Sequence, residues 1–202
     1  MTVTGIEELS RSRCKIYLND SFAFVLYKGE LRLYGVKLQE ELTEENYRQI
    51  TGELLPRRAA LRCMNLLKAR AYTESQLRRK LSEAFYPADS IEYALEYVKS
   101  YHYVDDARYA RDYIESSSGR KSRRVIEMEL ARRGVPRELV EEAFAEQEEA
   151  GRAPDEEALA AMWLEKKHYD PRTADPSEKR RMAAFLYRRG IGPSAIRRAM
   201  EE

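Results

Sequence analysis

The chain has 202 residues, of which 35% are charged and 43% are hydrophobic, and its formal net charge is +1. An average globular protein has about 25% charged residues, so this composition favours slim helices with one buried face and much solvated surface. A net charge this small excludes bulk charge as an argument for nucleic-acid binding. Basic and acidic segments nevertheless alternate along the chain, which suits a partner that carries both signs of charge, such as a protein–DNA complex.

The cysteine content and the lengths of the apolar runs indicate the cellular compartment of this protein. Cys14 and Cys63 are too few and too isolated for a disulfide framework or a zinc site, and both lie in apolar patterns. We therefore expect two buried, reduced thiols. The N-terminus has no basic segment followed by an apolar run, and no apolar run approaches the ~20 residues of a membrane span. These features predict a cytoplasmic protein that does not enter a membrane.

The first 55 residues are predicted to form a small antiparallel β-meander with a short helix. Residues 1–13 are polar, and we expect them to be flexible. In residues 14–18 apolar side chains alternate with Lys15 and Tyr17, as in a strand, and in 22–27 the residues Phe22, Phe24 and Leu26 alternate with the other three. The run 31–34 suggests a third short strand. Three short strands are marginally stable alone, so their apolar face needs another surface, and residues 43–51 predict a short helix that can supply it.

From Pro56 onward the apolar periodicity is helical and no strand pattern occurs. Proline, glycine and capping residues divide this part into helices; Thr73, for example, forms a capping box with Gln76 three residues later. The predicted helices lie at about residues 56–70, 73–85, 87–103, 106–116, 119–133, 137–149, 155–168, 176–189 and 193–201.

These helices repeat in sets of three. Similar basic and proline-containing stretches open the last helix of each set, at residues 79–87, 132–136 and 188–193. Their spacing of about fifty residues is typical of a tandem repeat array. The fold is therefore predicted to be mostly α, with a meander-plus-helix segment at 14–55 and three-helix repeats at 56–103, 104–151 and 152–202. We expect the array to be elongated and to bind a large partner rather than enclose a small substrate.

Three stretches are similar to motifs of the RecX family: Tyr103-Val104-Asp105-Asp106 followed by Arg108-Tyr109-Ala110 and Tyr113-Ile114, residues 72–81, and residues 175–190. In the first stretch, Asp105 is placed to cap a new helix and Asp106 adds negative charge to its first turn. The structural signature residues are Tyr103, Asp105, Asp106, Tyr109, Ala110 and Ile114. One departure is His102, which stands where the family often has glycine, so the geometry of that helix end is open.

This resemblance implies a tandem three-helix regulator of the RecA recombinase. It implies binding to the RecA filament on single-stranded DNA. It also implies down-regulation of the strand exchange, ATP hydrolysis and co-protease activity of RecA, and so a role in homologous recombination, DNA repair and the SOS response. Composition and periodicity alone leave two other functions open. One is DNA binding without RecA, and the other is a helical protein–protein adaptor.

Basic clusters recur on the middle helix of each predicted repeat. As contacts to phosphates or to acidic RecA surface they would neutralise charge and release counterions. As solvated helix faces they would instead pair with carboxylates one turn away, and recurrence in all three repeats leaves the two interpretations about equal. The candidate residues are Arg78, Arg79, Lys80, Arg120, Lys121, Arg123, Arg124, Arg132, Arg133, Lys179, Arg180, Arg181, Arg188 and Arg189.

Two other surface patterns have a functional and a structural interpretation. The acidic run over residues 138–149 is interpreted as a solvated face in preference to a docking face for basic loops. Tyr93, Tyr97 and Tyr101 recur every four residues, which suits base stacking. Packing at the edge of the core with the hydroxyl in water is the favoured interpretation. Trp163 is predicted to belong to the core of the third repeat.

The residues that carry chemistry in enzymes do not form a pattern here. His102 and His168 are the only histidines and neither has metal-ligand spacing. The nine glycines are scattered and form no phosphate loop, and no serine or cysteine pairs with a histidine. We expect no catalytic residues, no metal, no cofactor, no small-molecule substrate and no enzyme activity.

Overall fold

The computed structural model describes residues 1–152 and 154–201, which form two compact units, Met1–Asp105 and Asp106–Glu202. The first unit contains strands β1 Val3–Ser10, β2 Arg13–Leu18 and β3 Ser21–Tyr27, and helices α1 Lys28–Leu33, α2 Glu44–Gln49, α3 Leu55–Ala69, α4 Glu74–Ser82 and α5 Ala88–Ser100. The second unit contains helices α6 Asp106–Ser117, α7 Arg123–Arg132, α8 Arg137–Glu149, α9 Glu156–Lys166, α10 Pro176–Arg188 and α11 Pro193–Glu201. None of these helices has both the length and the apolarity that a membrane crossing requires.

The three strands form one antiparallel sheet in the order β1-β2-β3. Ile16, in the central strand, lies opposite Ile6 on one side and opposite Phe24 on the other. The buried face of the sheet shares a core with residues that follow it, as the sequence predicted: Val3, Cys14, Ile16, Leu18, Phe24, Leu26, Val36, Leu42, Ile50 and Leu55. Both cysteines of the chain are buried and unpaired, also as predicted.

Two predictions for the N-terminal region are wrong. Residues 1–13 are not a flexible tail, because β1 occupies most of them and pairs with β2. Val3 is the only fully buried residue of β1. Because backbone hydrogen bonds rather than buried side chains hold this edge strand, its sequence shows no alternation of apolar and polar residues. The run 31–34 is not a strand, because its first residues belong to α1. The carboxylate of Glu30 accepts a hydrogen bond from the amide of Tyr27 at 2.7 Å and pairs with Arg58, which favours a helical turn.

The helix that begins at Glu44 does not stop before Pro56. A π-helical segment, Ile50–Leu54, joins α2 to α3 without interruption. The amide of Leu55 donates to the carbonyl of Ile50, five residues earlier, and Pro56, which has no amide hydrogen, follows directly. The boundary predicted between residues 55 and 56 therefore falls inside a continuous helix.

The remaining helices form three triplets, α3–α5, α6–α8 and α9–α11, and the fold is mostly α. Each triplet has a core of its own. The first is built on Cys63, Leu77, Leu81, Leu95 and Val98, the second on Ala110, Ile114, Ile126, Leu130 and Phe144, and the third on Leu159, Ala160, Leu186, Ile191 and Ile196. Trp163 packs against the third core, as predicted.

One type of helix end recurs through the described residues. Seven helices end at or just before a residue with positive φ, between +52° and +80°, and the amide of the following residue donates to the carbonyl five residues earlier in the chain. This is the Schellman arrangement, which satisfies carbonyls that the helix leaves without a partner. The positive-φ residues are Gly35, Phe85, His102, Gly134, Gly151, His168 and Gly190. His102 thus adopts the left-handed conformation that glycine would favour, and the helix end is preserved.

We predict that the cap of α4 stabilises the first triplet. Thr73 is fully buried, and its hydroxyl accepts from the amide of Gln76 at 3.2 Å while the Gln76 side chain accepts from the amide of Thr73 at 3.3 Å. Thr73→Ala should lower the free energy of unfolding by about 1–2 kcal/mol, and Thr73→Ser should recover most of that loss. Urea denaturation measures both, and an alanine variant as stable as the parent would contradict this role of the cap.

Candidate nucleic-acid and protein interface

The candidate site lies in the second unit, where the start of α7 meets the end of α10. Ser122 precedes α7 and is completely buried. Its hydroxyl donates to the carbonyl of Arg189 at 3.0 Å and accepts from the amide of Val125 at 3.4 Å. One hydroxyl therefore caps α7 and also fixes the turn after α10 against it.

Gly190 makes this close contact between two triplets possible. Its φ is +80°, and a Cβ at this position would lie 2.4 Å from the hydroxyl oxygen of Ser122 and 3.0 Å from a methyl carbon of Val125. Both the backbone conformation and the contact therefore require glycine.

The contact brings together two basic clusters that are far apart in the sequence. Arg120 and Arg124 each lie two residues from Ser122, and Arg188 directly precedes Arg189. The guanidinium of Arg124 lies 5.7 Å from the centre of the Tyr187 ring on α10. We call Arg120, Arg124 and Arg188 the basic junction.

The charges of the basic junction are not neutralised by carboxylates of the described residues. All three arginines are exposed, and in residues 1–152 and 154–201 none of them forms an ion pair. Arg120 donates only to a backbone carbonyl, that of Ser116. The same holds for four more candidates on α7 and α10, whose side chains are exposed and have no carboxylate partner in the described part of the chain: Arg132, Lys179, Arg180 and Arg181.

The cluster on α4 is different, because its charges are neutralised locally. Arg78 pairs with Glu92 on α5 and with Glu74 at 3.1 Å. These hydrogen bonds, chiefly the one with Glu92, raise the pKa of Arg78. The neighbouring Arg79 and Lys80 both pair with Glu83, at 3.8 and 3.2 Å. For this cluster the structure agrees with the interpretation as a salt-bridged helix face.

Four further candidates in the second unit interact with other parts of the fold. Lys121 pairs with Glu129 at 2.5 Å and donates to the Tyr113 hydroxyl at 2.8 Å. Arg123 pairs with Glu127 and Glu148, and Arg133 pairs with Glu129. The guanidinium of Arg189 lies 4.0 Å from the centre of the Trp163 ring. The hydrogen bond from Lys121 lowers the pKa of Glu129, so this carboxylate stays charged at neutral pH.

The prediction that all the basic clusters lie on middle helices needs correction at four residues. Arg120 and Lys121 lie in the turn before α7, because the buried cap Ser122 starts that helix later than the glycine at 119 suggested. Arg133 and Arg189 follow the last residues of α7 and α10 and take part in the helix ends. The other candidates lie on α4, α7 and α10.

The signature stretch mainly builds the fold. Ala110 and Ile114 are fully buried in the second core, and Tyr109 stacks on Tyr113 with ring centres 6.5 Å apart. Asp105 directly precedes α6 and Asp106 is its first residue, where negative charge is favourable. Tyr103 is different, because 52% of its surface is exposed.

The described residues contain no group of three histidine, cysteine or acidic side chains that could hold a metal ion. Burial raises the pKa of the Cys63 thiol to about 11, so it stays protonated at neutral pH.

Three triplets in series, with charged groups on their middle helices, define a tandem three-helix protein. Family comparison matches residues 59–97 to the first three-helix domain of RecX, 105–143 to the second and 155–200 to the third. This chain belongs to the RecX family, whose relatives below carry the name of regulatory proteins.

Individual relatives agree with this assignment. The chain is 34% identical to "Regulatory protein RecX" of Trichlorobacter lovleyi over 157 residues, which cover 76% of this chain and 100% of the relative. It is 25% identical to the protein of the same name from Clostridioides difficile, over 99% and 94% of the two chains. A crystal structure of regulatory protein RecX superposes with a TM-score of 0.63 at 20% identity, covering 100% and 99% of the chains. RecX from Lactobacillus salivarius gives 0.59 at 16% identity, covering 73% and 95%.

We predict that Gly190→Ala separates the α7–α10 contact and lowers the free energy of unfolding by about 2 kcal/mol or more. Gly151→Ala is the matched control, because Gly151 has a similar φ of +66° but nothing within 4 Å of its missing Cβ. The control should lose only about 1 kcal/mol, the cost of the backbone conformation. Equal losses in thermal or urea unfolding would show that the contact with Ser122 is not tight.

We predict that Glu129 stabilises the second triplet in a pH-dependent way. Because its pKa is lowered in the folded state, its contribution is present above its ordinary pKa of about 4.3 and is lost as pH falls through the lowered value. Glu129→Gln should lower the free energy of unfolding by about 1 kcal/mol at pH 7, and this difference should shrink to zero in acid. Glu142→Gln on α8 is the control, and a pH-independent difference for Glu129→Gln would contradict the prediction.

Proposed function

We propose that this protein binds the RecA filament on single-stranded DNA and down-regulates the strand exchange, ATP hydrolysis and co-protease activity of RecA. It would thereby act in homologous recombination, DNA repair and the SOS response. Membership of a family of regulatory proteins supports the regulatory role. The observation that carries the proposal is the set of exposed cations without carboxylate partners in the described part of the second unit.

The physical argument concerns which cations have charge left for a partner. Arginines that already share a carboxylate gain little from phosphate, because the ion pair must first be broken. Arg120, Arg124 and Arg188 have no such pair, and a guanidinium binds phosphate or carboxylate with two parallel hydrogen bonds. Arg181 and Arg188 are seven residues apart, so they lie on the same side of α10. The basic junction and α10 therefore supply the proposed contact.

Binding of this kind would regulate RecA without catalysis by the regulator. A chain that contacts neighbouring RecA subunits and the DNA between them would block filament growth or restrict the changes of state that ATP hydrolysis needs. The measured effect would then be on the ATPase of the partner, and it would weaken with added salt because counterions compete for the phosphates.

The test is RecA ATP hydrolysis on single-stranded DNA with increasing amounts of this protein. We predict inhibition by the parent, and a concentration for half-inhibition raised about tenfold or more in Arg120→Ala/Arg124→Ala/Arg188→Ala, since each lost phosphate contact weakens binding. The matched control is Arg57→Ala/Arg79→Ala/Lys80→Ala, which removes three cations that pair with Glu53 and Glu83. It should inhibit like the parent.

Each other outcome assigns the function differently. Equal inhibition by both triple variants would keep the function and move the contact away from the basic junction. No inhibition by the parent at saturating amounts would contradict the proposal. A titration of labelled single-stranded DNA without RecA would then decide between independent DNA binding, which gives a steep salt dependence, and a protein–protein adaptor, which gives no DNA binding.

A further inference from the structure

Four tyrosines at the end of the first triplet form a continuous row of rings on the surface. Tyr93 stacks on Tyr97, Tyr97 contacts Tyr101 and Tyr101 stacks on Tyr103, with ring centres 6.5, 5.0 and 5.9 Å apart. Their exposed fractions are 46%, 38%, 57% and 52%. We call this row the tyrosine ladder. About half of the surface of these side chains is therefore available for contact with a partner.

The rings of the ladder differ from three of the four other exposed tyrosine and phenylalanine rings in the described part of the chain, the exception being Phe22. A lysine or arginine covers Tyr27, Phe85 and Tyr187, with the cation 4.8, 4.9 and 5.7 Å from the ring centre. Across residues 1–152 and 154–201, no such cation lies over any of the four ladder rings. The faces of the ladder are therefore open to a partner.

Carboxylates border the ladder on one side. Asp89 stands four residues before Tyr93 and Glu96 three residues after it, so both are its neighbours on the helix surface. Both are exposed, and neither forms an ion pair within the part of the chain described. Two uncompensated negative charges beside the rings repel phosphate and attract cations.

The second unit shows what such an arrangement binds in this protein. Tyr109 and Tyr113 stack with their planes 8° apart, and the carboxylate of Glu129 lies beside them. The Tyr113 ring has the guanidinium of Arg133 at 4.3 Å and the ammonium of Lys121 at 5.2 Å. Stacked tyrosines next to a carboxylate thus bind cations here, and the ladder is a longer version with no cation on it among the described residues.

We propose that the tyrosine ladder, with Asp89 and Glu96, binds an extended arginine-rich segment of a protein partner. In an extended chain alternate side chains point to the same face about 6.5 Å apart, and the centres of successive ladder rings are 5.0–6.5 Å apart. Arginines at every second position would therefore lie over successive rings, and the carboxylates would pair with guanidinium groups at the border. The ladder belongs to the first unit and attracts cations, whereas the basic junction belongs to the second unit and attracts anions. The proposal for the ladder can therefore be tested independently of the proposed function.

The test uses the full chain and a fluorescein-labelled peptide of alternating arginine and glycine, with binding followed by fluorescence anisotropy at low salt. Tyr97→Ala/Tyr101→Ala should weaken binding about tenfold, as loss of two cation–ring contacts requires. Asp89→Asn/Glu96→Gln, which leaves every ring in place, should weaken it several-fold. Tyr97→Phe/Tyr101→Phe retains the rings and should bind like the parent.

The control for general acidity is Glu142→Gln/Glu149→Gln on α8, which removes two exposed carboxylates elsewhere and should leave the affinity unchanged. Unchanged binding in the Tyr97→Ala/Tyr101→Ala variant, or a loss as large in the α8 control, would overturn the proposal. So would a titration with labelled oligo-deoxythymidine in which the alanine variant loses affinity for DNA while its affinity for the peptide is unchanged, because the ladder would then be a base-stacking surface.

Discussion

The arrangement of the second unit depends on the two hydrogen bonds of the Ser122 hydroxyl. This hydroxyl caps α7 and, in the same place, donates to the carbonyl that ends α10. A buried hydroxyl that lost either partner would leave a polar group unsatisfied, which costs about 1–3 kcal/mol. The contact is short enough to demand glycine at position 190, and it places residues of two triplets side by side. The basic junction is a consequence of this packing.

The same sequence pattern has different consequences in different triplets. Basic residues recur on each middle helix, but the carboxylates within reach, on the same helix or on a neighbouring one, determine which positive charges remain unpaired. Glu92 on α5 forms an ion pair with Arg78, and Glu148 on α8 forms an ion pair with Arg123. On α10, Arg181 and Arg188 have no such partner among the described residues. Repetition of helices therefore does not imply repetition of function, and the two chemistries proposed here, a basic junction and an acidic aromatic ladder, belong to different units.

Sequence reasoning predicted the helices well where local chemistry decides the boundary. The capping box at Thr73 and the predicted limits of 137–149 for α8 are confirmed, because caps, prolines and apolar periodicity are short-range signals. It failed where the partner is distant. β1 is an edge strand held by β2 and by residues near 40, and α7 starts late because Ser122 binds a carbonyl 67 residues away. The geometry of the helix end at His102, which the sequence left open, is the left-handed conformation that few residues other than glycine adopt.

The sequence predicted which residues are candidates for the site, but it did not predict which of them lie together on the surface with unpaired charges. Every arginine of the basic junction was a candidate from the sequence, but so were Arg78 and Arg123, whose ion pairs involve residues on other helices. Periodicity identified the tyrosine row over Tyr93, Tyr97 and Tyr101. It did not show that Tyr103 continues the row beyond the end of α5, or that the rings are open.

The central claim is that the α7–α10 surface, and not the α4 surface, contacts the RecA filament. Site-specific photo-crosslinking tests it most directly. A benzophenone amino acid would replace Ala184, which is exposed one turn from both Arg181 and Arg188, or Ser82, which is exposed one turn from Arg79. The account predicts crosslinks to the RecA–DNA filament from position 184 and few from position 82. Strong crosslinking from position 82 and none from position 184 would contradict it.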